Sequence, residues 1–220
     1  MINNVIFDLD GTLLDTREGI IESVKYTIKE FSIKELSYDT LLEFIGPPIQ
    51  NSLMKHCGCD SDTAQKATDF YRDHYMRETL FRADPYDGIF DLCHCFSENN
   101  VRMAVATYKR EDTALKLLHH FGFNHYCNPI HGSDNNNVLK KEDIVRMCLD
   151  EMGAEKDNSV LVGDTVNDAK GAALAGIPFI AVTYGFGFKT DEELALYPNI
   201  GVAGTTMEVA DIVFNKSKCS

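Results

Sequence analysis

Val5-Ile6-Phe7-Asp8-Leu9-Asp10-Gly11-Thr12 is the stretch on which the fold turns. Three apolar residues run into two aspartates separated by one residue, and an uncharged run of that length reads as a short buried strand. In an open α/β sheet, ligands gather beyond the carboxyl ends of the strands, so Asp8 and Asp10 are expected at that edge. Side chains alternate along an extended chain, which sends both carboxylates to one side, and Gly11 lets the backbone turn sharply without a Cβ penalty. Two carboxylates about 4 Å apart repel by about 1 kcal/mol in bulk water and by about 4 kcal/mol at an effective dielectric of 20. A cation or a shared proton must offset that repulsion.

Working outward, the pattern changes after Thr16. Ile20, Ile21, Val24, Tyr26, Ile28 and Phe31 recur at helical spacing among charged residues, predicting an amphipathic helix over 17–32. Further helical patterns run from Tyr38 to Phe44, Ile49 to His56 and Thr63 to Leu80, with no strand between 16 and 83. A turn-rich segment, Asp84-Pro85-Tyr86-Asp87-Gly88, ends this helical run, and Ile89–Phe96 starts a new helix. Strand and helix then alternate: strand Arg102–Ala106, helix Glu111–Phe121, strand Tyr126–Ile130, helix Glu142–Met152, strand Val160–Val162, helix Asp168–Ala175, strand Phe179–Val182. Such repetition predicts an α/β fold, with a doubly wound parallel sheet covered on both faces. The helices between the first strand and the rest predict a small all-helical insert over 16–83, leaving 1–15 and 84–220 to a Rossmann-like core. Asn135-Asn136-Asn137 reads as a polar turn, Gly185-Phe186-Gly187 as a loop, and 215–220 as a frayed terminus.

Composition narrows the function. The chain has 220 residues, enough for one good core and a satellite domain. A net charge of -13 disfavours nucleic acid polymers and anionic membrane surfaces, because neutralising phosphates takes clustered Lys and Arg. No apolar run reaches the roughly 18 residues that span a bilayer, which points to a cytoplasmic protein with no membrane partner. Seven cysteines include Cys57-Gly-Cys59 and Cys93-His-Cys95, which lack the C-x-x-C spacing of zinc ribbons. Reduced, mostly buried thiols are expected instead.

Asp8-Leu9-Asp10-Gly11-Thr12, followed by Leu13-Leu14-Asp15-Thr16, resembles the first motif of the haloacid dehalogenase-like hydrolase superfamily. In that family the first aspartate is a nucleophile and the second an acid/base. Three further segments in the right order carry the resemblance. Val101–Thr107 is a strand closing on a hydroxyl, similar to the second motif, in which a Ser or Thr binds phosphate. Tyr108 follows where phosphoglycolate phosphatase-like members often have Asn. Leu139-Lys140-Lys141-Glu142-Asp143-Ile144 places cations at a helix start, where the helix dipole is unfavourable and some anion must compensate. The family's third motif is a lysine at this point; Lys141 suits it by its distance from the Ile144-Val145 face, with Lys140 as its rival. Val160-Leu161-Val162-Gly163-Asp164-Thr165-Val166-Asn167-Asp168 resembles the fourth motif, whose first acid coordinates magnesium and whose second supports the metal's shell.

The resemblance covers nearly the whole chain and is best to phosphoglycolate phosphatase-like phosphatases with a helical cap. It implies a catalytic set of Asp8, Asp10, Thr107 and Lys141. Gly11, Thr12, Thr107, Tyr108 and Lys141 would bind substrate phosphate, and Asp8, Asp164 and the Asp10 backbone carbonyl would hold Mg2+, with Asp168 behind them. Oxygen donors without a His/Cys cluster suit such a hard cation. Phe44-Ile45-Gly46-Pro47-Pro48 lies where the family's caps carry a specificity loop, and Lys55, His56 and Arg72 are candidates to approach a substrate. The expected activity is Mg-dependent hydrolysis of a small phosphate monoester through an aspartyl-phosphate. A phosphosugar mutase of the same superfamily, similar to β-phosphoglucomutase, is the alternative; Thr12, where such mutases usually carry Val, leans away from it. A dehalogenase has no use for an acid at Asp10. A non-catalytic phosphometabolite-binding protein would need no acid/base at all.

Overall fold

The computed structural model describes residues 1–134, 138–188 and 190–214. The expected turn at 135–137, the expected frayed end at 215–220 and Cys219 lie outside the described residues. The chain divides into two compact units: Met1–Leu14 together with the chain from Pro85 onward, and Asp15–Asp84.

The chain begins with β1 (Asn4–Phe7), and β2 (Leu14–Asp15) leads into the second unit. That unit holds α1 (Arg17–Glu30), α2 (Tyr38–Leu42), α3 (Ile49–Cys57) and α4 (Ser61–His74), the last continuing as a π-helical turn over Tyr75–Thr79. Ser37 and Asp60 accept the Thr40 and Thr63 amides, capping α2 and α4. Inside it, Ser23 Oγ lies 2.6 Å from Thr79 Oγ1 and 2.9 Å from His74 Nδ1, which satisfies a polar group with no solvent exposure.

After β3 (Asp84–Pro85) come α5 (Ile89–Glu98), β4 (Arg102–Arg110), α6 (Glu111–His120), β5 (Cys127–Ser133), α7 (Lys141–Met152), β6 (Ser159–Gly163), α8 (Val166–Ala175) and β7 (Phe179–Val182). The chain then adds α9 (Asp191–Leu194), β8 (Gly201–Ala203) and α10 (Thr206–Val213). These last three were not expected. β8, Gly-Val-Ala, is too short to read as a strand, whereas α10 did carry a signal in Thr205-Thr206-Met207-Glu208: Thr205 accepts the Glu208 amide and Glu208 accepts the Gly204 amide.

Six strands form one parallel sheet in the order β5-β4-β1-β6-β7-β8. β1 sits between β4 and β6, where strand order reverses, and the crevice beyond its carboxyl end is the usual ligand position in such sheets. Phe7 pairs in register with both Val105 and Val162. Asp8 therefore emerges one step beyond that row, and Asp164 and Thr107 two steps beyond it. Along β1 alternate side chains serve the two faces. Ile6 joins Ile144, Val145, Cys148, Ala169 and Ala172 of α7 and α8, while Phe7 packs on Phe96 of α5, ring centroids 6.3 Å apart. Each such fully buried side chain contributes about 1.5–3 kcal/mol. β4 outruns its expected end at Ala106 by four residues, to Arg110.

Candidate active site

Asp8 and Asp10 follow β1 directly, 5% and 6% exposed. Gly11 turns the chain at φ 86°, and a Cβ there would collide with the Asp164 carboxylate as well as strain the backbone. The backbone amides of Gly11 and Thr12 bond back into this turn, to the Leu14 and Leu9 carbonyls. The Thr12 hydroxyl is buried with no hydrogen-bond partner among the described residues.

Lys141, the first residue of α7, is fully buried, and its Nζ lies 2.7 Å from Asp8 Oδ1 and 2.6 Å from Asp168 Oδ1. These carboxylates are the anions that a lysine at a helix start requires. Lys140 is exposed, its amide capped by Asp143 Oδ2. The Tyr108 hydroxyl accepts the Lys141 amide at 3.0 Å, and the ring centroid lies 6.0 Å from Nζ. Tyr108 thus touches Lys141 at its backbone amide and lies near its ammonium, in addition to its place beside Thr107. Thr107 is 1% exposed, and its Oγ1 accepts the Lys109 amide at 3.1 Å.

Asp164 follows β6. Its Oδ2 accepts the amides of Phe186 and Gly187 at 2.8 and 3.0 Å, and the Phe188 amide bonds to its carbonyl. Gly185-Phe186-Gly187 therefore clamps this carboxylate. Any Cβ at Gly185 or Gly187 would overlap Asp164, a close approach that explains both glycines. With Oδ2 held, Oδ1 is buried and has no hydrogen-bond partner among the described residues. Asp168 is fixed by the start of α8: its Oδ2 accepts the Thr165 amide at 3.0 Å and the Thr165 hydroxyl at 2.6 Å. Ligand oxygens of Asp8, Asp164 and Asp168 all lie within 4.8 Å of one another.

Three buried carboxylates face one ammonium. Burial first, then Asp168, pushes Asp8 up to about 7 against the opposing pull of Lys141. Burial, Asp168 and Asp8 drive Asp164 well above the carboxylate range, although the Phe186 and Gly187 amides favour its ionised form. Burial alone would pull Lys141 down, but Asp168 and Asp8 outweigh it and hold the lysine above its ordinary value. Protons or a multivalent cation must balance the surplus negative charge. The orphaned Asp164 Oδ1, among oxygen donors only, fits a hard divalent ion such as Mg2+.

Asp10 uses its side chain differently, because its Oδ1 lies 3.1 Å from Lys109 Nζ, and both side chains are under a tenth exposed. Sequence reasoning missed Lys109, and the available signal was a cation two residues beyond a strand-end threonine. Within the helical unit, Lys55 and His56 face Glu43 at 2.8 and 3.4 Å, and Arg72 lies 3.7 Å from Asp69. The six described cysteines are free, and Cys93, Cys127 and Cys148 are buried. Among the described residues no helix is long and apolar enough to cross a membrane.

A parallel core with acids after its two central strands and a buried lysine at a helix start is built as a hydrolase. Residues 5–182 match the family model of the haloacid dehalogenase-like hydrolases, and the chain belongs to that family. It is an enzyme of the phosphatase kind. The chain is 34% identical to a 5'-nucleotidase of Pseudomonas aeruginosa over 86% of each chain. It is 28% identical to the pyrophosphatase PpaX of Halalkalibacterium halodurans over 99% of each. Among solved structures, a predicted phosphatase from Clostridium acetobutylicum superposes with a TM-score of 0.91 at 34% identity, covering 98% of this chain and 99% of the other.

Proposed function

We propose that this protein is a Mg-dependent cytoplasmic phosphatase that hydrolyses a small phosphate monoester in two steps. An Asp8 carboxylate oxygen attacks phosphorus, and the phosphorus–oxygen bond to the leaving group breaks as Asp10 gives that oxygen a proton. Water then attacks the aspartyl-phosphate, Asp10 takes the water's proton, and inorganic phosphate leaves Asp8. Lys141 balances the charge on Asp8, and the Thr107 hydroxyl donates to a phosphoryl oxygen. Asp8, Asp164 and the Asp10 carbonyl would hold the metal, with Asp168 holding Lys141. When bound, Mg2+ would neutralise the carboxylates and draw charge from the phosphoryl oxygens. Residues 16–83 act as the cap that selects the substrate, through the Phe44–Pro48 loop.

The observation that carries this reading is the buried Asp8–Asp164–Asp168 cluster with its single bridging lysine. A protein that only bound a phosphometabolite would have no need of Asp10 beside such a cluster. Nucleotide and pyrophosphate chemistry among the relatives supports a phosphate substrate and leaves its leaving group open. The test is inorganic phosphate release from phosphoglycolate, nucleoside monophosphates, pyrophosphate and sugar phosphates, with Mg2+ and again with EDTA. Metal-dependent release is expected, and its ranking identifies the leaving group. Isomerisation of a sugar phosphate without net phosphate release would replace this reading with the mutase.

A further inference from the structure

The Lys109–Asp10 pair lies where the sheet is irregular. Ala106 pairs with His131, but the next registered pair is Arg110 with Ser133, so four steps along β4 match two along β5. Such a bulge re-aims the side chains it contains. Gly132 allows it: a Cβ there would sit 2.5 Å from the Lys109 carbonyl oxygen and 2.6 Å from Glu111 Cα. Within this stretch the Lys109 amide donates to Thr107 Oγ1 at 3.1 Å. The side chain then reaches Asp10 Oδ1 at 3.1 Å, with lysine and aspartate 7% and 8% exposed.

Burying a lysine gives up hydration and rotamer entropy, so it persists only where a partner compensates. Asp8 is paired with Lys141, and Lys109 with Asp10. We infer that Lys109 is a positioning residue: it fixes the Asp10 carboxyl group at the angle from which protons pass to the leaving group and from water. This rests on Asp10 being the acid/base. A side chain allowed to swing loses orientation, which can cost up to about a hundredfold in rate. The loss should follow the amount of proton transfer each step requires.

Lys109→Met is therefore assayed on two substrates, p-nitrophenyl phosphate, whose leaving group departs without a proton, and glycerol phosphate, whose alkoxide needs one. Turnover of glycerol phosphate is expected to fall about a hundredfold and that of p-nitrophenyl phosphate about tenfold. The nitrophenyl ester should also show a burst of about one equivalent of nitrophenolate, because aspartyl-phosphate accumulates when water activation slows. KM should change little. In an Asp10→Asn background, Lys109→Met should add no further loss. Lys109→Gln, smaller in its disturbance, reads the same split if the methionine variant does not fold.

Equal losses on both esters without a burst would make Lys109 a packing residue and overturn the inference. So would a rise in KM at unchanged kcat, or losses that multiply with Asp10→Asn, since either makes Lys109 a direct substrate contact. An Asp10→Asn enzyme as active as the parent would instead remove the acid/base reading itself. An inactive Asp10→Asn beside a fully active Lys109→Met would remove Lys109 alone.

Discussion

The ion pairs of the two units differ in burial. In the helical unit each pair keeps at least one partner well exposed, as Lys55 with Glu43, Arg77 with Asp73 and Arg72 with Asp69 do. The core has exposed pairs too, Arg146 with Asp143 among them, but it also holds buried ones that join distant parts of the chain, Lys141 with Asp8 and Lys109 with Asp10. Exposed pairs are worth about 0–1 kcal/mol because water and salt screen them. A buried charge stripped of its partner costs about 3–5 kcal/mol, so each core pair is held in place by the other's need. The exposed pairs of both units therefore adorn a surface, and the buried pairs of the core define a site.

The sharpest way to break this contrast is Asp8→Asn, which should lower turnover about a thousandfold or more while the far-ultraviolet circular dichroism stays unchanged. Substantial residual phosphate release would remove Asp8 from the chemistry. Next in size, Lys141→Met leaves the carboxylates without their ammonium and should cost about 3 kcal/mol in urea unfolding at pH 8. The loss should shrink at pH 5, where the carboxylates raised by burial take up protons; an equal loss at both pH values would make it a packing effect.

Metal binding gives a third, smaller effect whose sign follows from linkage. Folding raises Asp8 from an ordinary 3.8 to about 7, so between those values the folded apo chain binds more protons than the unfolded one. Its stability contribution from Asp8 therefore falls as pH rises through that window. Mg2+ must displace the same protons, so its stabilisation grows with pH. At about 100 times Kd the ion adds about 2.7 kcal/mol. Thermal melts should show a gain of about 5–10 °C at pH 8 and less than half of that at pH 5.5. A pH-independent gain would place the ion away from Asp8. The smallest effect is expected for Lys55→Gln, under about 0.5 kcal/mol in stability. A changed substrate ranking in that variant would give a surface pair of the helical unit a role in selection.

The sequence made the sheet legible wherever strands were fully buried: β1, β6 and β7 are uninterrupted apolar runs, and each announces its own end. Asp8, Asp164 and Asp168 were legible because they sit directly at strand ends and helix starts, and Lys141 because a cation there contradicts the helix dipole. Lys109 was missed because the strand was expected to stop at Ala106. It stands two residues beyond Thr107, so an extended chain puts both on one face, and the register shift opposite Gly132 falls in the same stretch. Gly185-Phe186-Gly187 read as a bare loop because amides that grip a carboxylate leave no side-chain signature. At the sheet's far edge, β8 is three residues long and only partly buried, too short for periodicity to register.

The Tyr86 amide bonds to the Leu13 carbonyl at 3.3 Å, joining the core's own chain on either side of Asp15–Asp84. For the core, that whole helical stretch is topologically a closed loop. The entropy of closing a loop grows only with the logarithm of its length, about 0.6 kcal/mol per doubling for a flexible chain. The insertion point therefore behaves as a socket, into which a longer, shorter or unrelated helical segment can be spliced without disturbing the strands that carry Asp8 and Thr107.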